Sequence, residues 1–107
     1  MGPIRDVSRD DVKAGLADGS ITVVDVREAY EFDSGHIPGS VSMPLSGFDP
    51  GSLPAGVRVV FSCAAGVRSQ RAVDLARAAG LPHDEHYAGG FKGWAAAGET
   101  VAFGSDG

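Results

Sequence analysis

The run Ile21-Thr22-Val23-Val24-Asp25-Val26 leaves little choice of fold. Apolar, β-branched residues occupy positions of both parities, so a strand built from it must be covered on both faces. Such a strand belongs in the middle of an open, mostly parallel sheet with helices above and below. Val57-Arg58-Val59-Val60-Phe61-Ser62 is a second segment of the same character. Parallel strands need crossover connections, and the segments between them supply helices. Ser8-Arg9-Asp10-Asp11 sets an N-cap serine three residues before an acid, and Val12 and Leu16 follow at helical spacing, so a helix is expected over Arg9–Asp18 with Gly19 as its stop. Arg68–Ala79 carries Ala72, Leu75, Ala76 and Ala79 on one helical face, ended by Gly80 and Leu81-Pro82. Val41-Ser42-Met43 and His86-Tyr87-Ala88 read as short strands, and Phe91–Ala97 as a last helix. Residues 27–39 mix charge, aromatics and glycine and suggest no element of their own. The order of elements is that of a single α/β domain over residues 1–103, with a small polar tail at residues 104–107 expected to fray.

Composition narrows the function. The 107 residues are 43% hydrophobic and 21% charged, ordinary for a globular domain that needs neither disulfide nor structural metal. A net charge of −5 without a Lys/Arg run marks neither a nucleic-acid nor an anionic-membrane surface. No apolar run approaches the roughly 20 residues of a membrane span, and the first residues lack a signal-peptide apolar region, so a cytoplasmic location is expected. The single cysteine, Cys63, cannot form an internal disulfide, and one thiol without clustered partners is a poor metal site. No metal or cofactor is expected.

Cys63 follows the second strand directly, where open α/β sheets hold their ligands. The loop Cys63-Ala64-Ala65-Gly66-Val67-Arg68-Ser69 leads into a helix. Small residues let its N–H groups curl inward, Gly66 can take a conformation that a β-carbon disfavours, and the helix start adds positive potential. Arg68 is expected to bring a fixed cation. A thiol in such a field loses its proton more readily, and the thiolate is the nucleophile. Cys63 is therefore the candidate catalytic residue, and Ala64, Ala65, Gly66, Val67, Arg68 and Ser69 form the candidate substrate-binding loop.

These residues resemble the rhodanese family of sulfurtransferases. Three separated segments carry the likeness: Asp25-Val26-Arg27-Glu28-Ala29-Tyr30-Glu31-Phe32-Asp33-Ser34-Gly35-His36-Ile37-Pro38-Gly39-Ser40, the Cys63–Arg68 loop, and Tyr87-Ala88-Gly89-Gly90-Phe91-Lys92-Gly93-Trp94. The resemblance implies a five-stranded, mostly parallel sheet with helices on both faces. It also implies a sulfane sulfur carried as a Cys63 persulfide, taken from thiosulfate or a persulfide donor and passed to cyanide or a thiol. Related phosphatases use a Cys-x5-Arg loop, one residue longer than the Cys-x4-Arg here, so a small phosphatase or arsenate reductase-type enzyme is the weaker reading. The absence of a second cysteine from these residues requires an external acceptor. A sulfur-carrier or interaction module, working with a sulfur-relay protein partner, is the alternative to an enzyme acting on small molecules. Uncharged Ala64, Ala65 and Val67 lead to the expectation that thiosulfate is a poor donor.

Other polar residues carry structural readings. Asp25 and Arg27, at the end of the first buried strand, form a candidate brace for the site. His36, in the Gly35-His36-Ile37 turn, is expected to hydrogen-bond backbone rather than act as a base. His83 and His86 flank Asp84-Glu85 and read as a surface loop before a strand rather than a metal cluster.

Overall fold

The computed structural model describes residues 2–104. Five strands form one sheet: β1 (Arg5–Asp6), β2 (Ile21–Asp25), β3 (Val41–Ser42), β4 (Arg58–Ser62) and β5 (Glu85–Tyr87). Their order across the sheet is β1-β5-β4-β2-β3, and every neighbouring pair is parallel. The two β-branched runs therefore lie side by side in the interior, with Val23 opposite Val60 and Asp25 opposite Ser62. An isolated antiparallel bridge between His36 and Ala102 ties the C-terminal segment to the turn after β2. Among the described residues, no helix is long and apolar enough to cross a membrane.

Helices α1 (Arg9–Asp18), α2 (Ala29–Asp33), α3 (Val67–Ala78) and α4 (Gly90–Ala96) complete the domain, with short 3-10 turns at Leu45–Gly47 and Pro50–Ser52. Ser8 caps α1 by accepting from the Asp11 N–H at 3.1 Å, and Gly19 ends it at φ 77°. Strand alternation sorts the core into two layers. Val24, Val59, Phe61 and Cys63 meet Ala72, Val73 and Ala76 of α3 on one face. Val23, Val60 and Tyr87 meet Val12 of α1 and Trp94 of α4 on the other. Each fully buried Val or Phe contributes roughly 1.5–3 kcal/mol relative to exposure, so these layers dominate the stability.

Two elements lie outside the sequence expectations. β1 is two exposed, charged residues held to the edge by Arg5 N–H to Asp84 O and Val7 N–H to His86 O. It has no apolar pattern to read because it buries nothing. α2 forms within the charged stretch after β2, where the Glu31 carboxylate accepts from the Glu28 N–H at its start. Elsewhere the observed ends fall within about one residue of expectation. The fraying expected of the tail falls largely outside the described residues; Gly104, which is described, donates its N–H to Asp33 O at 2.9 Å.

Beyond the end of β2, Arg27 and Asp25 form a buried ion pair. The guanidinium donates to both carboxylate oxygens at 2.8–3.1 Å and to Gly35 O at 2.8 Å, and it lies 4.5 Å from the centre of the Phe91 ring. A single side chain thus joins the strand, the turn and α4. Removing one partner leaves a buried charge without compensation, which costs about 3–5 kcal/mol. Asp25→Ala is accordingly expected to lower unfolding free energy by that amount in urea titration; a loss under about 1 kcal/mol would show that the pair does not brace the fold.

Candidate active site

Strand β4 delivers Cys63 to the C-terminal edge of the sheet, and the chain then curls through Ala64, Ala65 and Gly66 into α3. Gly66 sits at φ 86°, and a β-carbon there would come within 2.8 Å of Ala88 O. This left-handed residue turns the loop so that its peptide hydrogens face the sulfur. Cys63 Sγ accepts from the Gly66 N–H at 3.1 Å and the Ser69 N–H at 3.4 Å, and Ser69 Oγ lies 3.6 Å away.

The loop's carbonyls point the other way. Cys63 O accepts from the Phe91 N–H at 2.8 Å, and Ala64 O from the Lys92 N–H at 3.1 Å, so the first turn of α4 docks on the back of the loop. Gly90 makes that approach possible: at φ 62°, a β-carbon would stand 2.6 Å from Cys63 O and 2.5 Å from Ala64 O.

Cys63 is 1% exposed. Burial, the largest single influence, pushes its thiol pKa up. The Ser69 hydroxyl and the N–H groups of Ser69, Ala65 and Gly66 together outweigh burial and hold it below the ordinary thiol value. Each of these donors favours the charged form, so the loop shifts Cys63 toward the thiolate.

Arg68 takes a different place from the one expected of it. Its guanidinium makes a two-pronged pair with Glu31 of α2, at 2.7 and 3.0 Å. That contact chiefly holds the Glu31 carboxyl down to about 2 and raises Arg68 further. Arg68 and Cys63 attract one another across the loop, but the groups within reach of the sulfur are amides and a hydroxyl. Ala65 and Val67 are exposed at the rim, and Ala64 is half-buried.

Asp25 and Arg27 stand behind the loop through Phe91, as described above. His36 is buried, with its ring stacked on Phe32 at 3.7 Å and Nδ1 2.9 Å from Phe32 O. The acidic and histidine residues before β5 have separate partners: Asp84 pairs with Arg5, Glu85 with Arg58, and His83 packs edge-on to Phe61. His86 is the residue that sequence reasoning missed. It lies in β5 with Nδ1 2.7 Å from Ser69 Oγ. This corrects the surface loop expected for it: His86 is buried within the strand, and no spacing could reveal a contact with a helix residue 17 positions earlier.

An α/β domain with an amide-lined thiolate loop at a strand end defines a class of cysteine-based transfer domains. Within that class, the Rhodanese-like domain family matches residues 8–97, and the chain belongs to the rhodanese family. It is 36% identical over 104 residues to mouse "Thiosulfate sulfurtransferase/rhodanese-like domain-containing protein 3", a match covering 82% of this chain and 66% of that protein. It is 30% identical over 104 residues to human "Thiosulfate:glutathione sulfurtransferase", covering 82% of this chain and 90% of the relative. The crystal structure of a rhodanese-related protein from Thermoplasma volcanium superposes with a TM-score of 0.79 at 28% identity, over 92% of this chain and 97% of the other. The chain spans just under two thirds of the mouse relative's length.

Two outcomes follow from this geometry. Gly90→Ala should lower stability by roughly 2 kcal/mol or more and slow Cys63 alkylation, because α4 must retreat from the loop carbonyls. Full retention of both would disprove the close docking. Arg68→Ala should raise the alkylation midpoint of Cys63 by less than about half a pH unit, since the groups within hydrogen-bond reach of the sulfur are amides and a hydroxyl. A shift of a full unit would make Arg68 the principal source of the thiolate.

Proposed function

We propose that the chain is a sulfurtransferase that carries a sulfane sulfur on Cys63. The observation that carries this reading is the convergence of loop N–H groups on a buried sulfur in a Cys-x4-Arg loop. The Cys63 thiolate attacks the outer sulfur of a donor; the donor's S–S bond breaks, and its remaining part leaves with the electron pair, as sulfite when the donor is thiosulfate. The product is a Cys63 persulfide whose terminal sulfur is an anion. The amides that favour the thiolate are the ones available to this anion, which is why a shared cradle serves both halves of the cycle. An acceptor nucleophile then takes the terminal sulfur, and Cys63 departs again as a thiolate. Cyanide would leave as thiocyanate and a thiol as a persulfide. With one cysteine in these residues, that nucleophile comes from elsewhere. A small thiol of the glutathione type, the acceptor in the human relative's name, fits the role.

The same features bear on the donor. The loop residues Ala64, Ala65 and Val67 carry no charge, and Arg68 is held by Glu31. A dianion such as thiosulfate gains little from this mouth, whereas a persulfide presented by a small thiol or a relay protein needs no cation. A carrier module loaded by such a partner is the second reading, favoured by this neutral rim. A reducing compartment such as the cytoplasm would keep Cys63 available for either role.

Mass spectrometry after incubation with thiosulfate or with a low-molecular-weight persulfide should find one added sulfur, with the persulfide loading faster. Cys63→Ser should abolish the adduct and all sulfur transfer to cyanide or thiol. An unchanged mass with every donor, small or protein-bound, would overturn the reading. Cys63-dependent turnover of a phosphoester would replace it with a phosphatase.

A further inference from the structure

The sulfur-transfer cycle above makes no use of His86, yet the fold places it one hydrogen bond from a residue that touches the sulfur. Nδ1 lies 2.7 Å from Ser69 Oγ, and Oγ lies 3.6 Å from Cys63 Sγ. The β4–β5 register sets His86 beside Phe61, and alternation sends Tyr87 to the opposite face against Trp94. His86 is 6% exposed, and burial lowers its pKa and favours the neutral ring.

A neutral imidazole has one N–H, and the Ser69 hydroxyl has one hydrogen. If Nδ1 holds the ring hydrogen, it donates to Oγ and the hydroxyl hydrogen is free to point at the sulfur. If Nε2 holds it, Nδ1 captures the hydroxyl hydrogen, and the sulfur faces an oxygen lone pair. Only the first arrangement favours a thiolate.

We propose that His86 is a positioning residue for Cys63: its Nδ1–H, donated to Ser69 Oγ, aims the Ser69 hydroxyl at the sulfur and so holds Cys63 as a thiolate. In the thiol state the chain reverses, with S–H donating to Oγ, O–H to Nδ1, and the ring hydrogen on Nε2. Passing to the thiolate state moves a proton from Sγ to Oγ and another from Oγ to Nδ1, while Nε2 releases one to water. One proton leaves in total, and no electrons are exchanged.

The charged groups around this chain are few. Among the described residues, Asp6 on β1 is the charge that acts on His86; α3 presents Ser69 to it, and β4 presents Phe61. Arg68 of α3, paired with Glu31 of α2, is the cation that couples to Cys63. The proposal rests on the sulfurtransferase reading for its purpose but not for its test, because alkylation needs no sulfur donor. A protein that takes sulfur from no donor would refute that reading and leave this one to be judged on its own curves.

The test is the rate of Cys63 alkylation by iodoacetamide against pH. His86→Leu should raise the midpoint by about one unit, while His86→Asn, whose amide can donate to Oγ, should stay near the unmodified protein. In a Ser69→Ala background, His86→Leu should add no further shift. An unmoved midpoint in His86→Leu would overturn the proposal, as would an equal shift with and without the Ser69 hydroxyl. An Asn variant displaced as far as Leu would also overturn it. The unmodified protein gives a check that no folding defect can spoil: nitrogen-15 NMR above the Cys63 midpoint should find the His86 ring hydrogen on Nδ1. A hydrogen on Nε2 would overturn the assignment.

Discussion

The peptide groups of the Cys63–Gly66 loop point in two directions, and the site depends on that division. The Gly66 N–H converges on the sulfur together with that of Ser69, while the carbonyls of Cys63 and Ala64 are taken by the first turn of α4. Neither half would persist alone. Carbonyls left unpaired against buried surface would cost free energy, and rotating them toward the pocket would turn the hydrogens away from Sγ. Gly66 supplies the left-handed turn, and Gly90 supplies the space for α4 to come close.

Support for this arrangement reaches back through the fold by one buried cation. Arg27 binds Asp25 at the end of β2, donates to Gly35 O, and stacks on Phe91 of α4. Phe91 is also the residue whose N–H holds Cys63 O. The segments around Asp25, Cys63 and Gly90, far apart in the chain, are therefore consecutive links in space. Glu31 adds a further link by holding Arg68 at the loop's far end.

That last contact changes the electrostatic character of the mouth. A cation that could have drawn anions to the loop is spent on a carboxylate, so the sulfur's charge is balanced mainly by fixed dipoles and one hydroxyl. Dipoles at hydrogen-bond distance in a water-poor site stabilise a compact anion well, whether thiolate or persulfide, without attracting multiply charged ions from solution.

The near-continuous apolar, β-branched character of Ile21–Val26 and Val57–Ser62 was enough to place both runs in the sheet interior, and Ser8, Gly19 and Gly80 marked helix ends, because these preferences act over a few neighbouring residues. The position of Cys63 after a strand, the short glycine-bearing loop and the lack of a second thiol were equally legible. β1 and α2 were not, since a two-residue edge strand and a charged single-turn helix owe their existence to what they meet. The partner of Arg68 and the place of His86 also depend on residues dozens of positions apart or on adjacent strands. Local sequence determined which residue would be the candidate nucleophile and how its loop would turn. Tertiary packing alone decided which groups surround that sulfur, because hydrogen-bond partners are chosen by distances that only the assembled sheet and helices set.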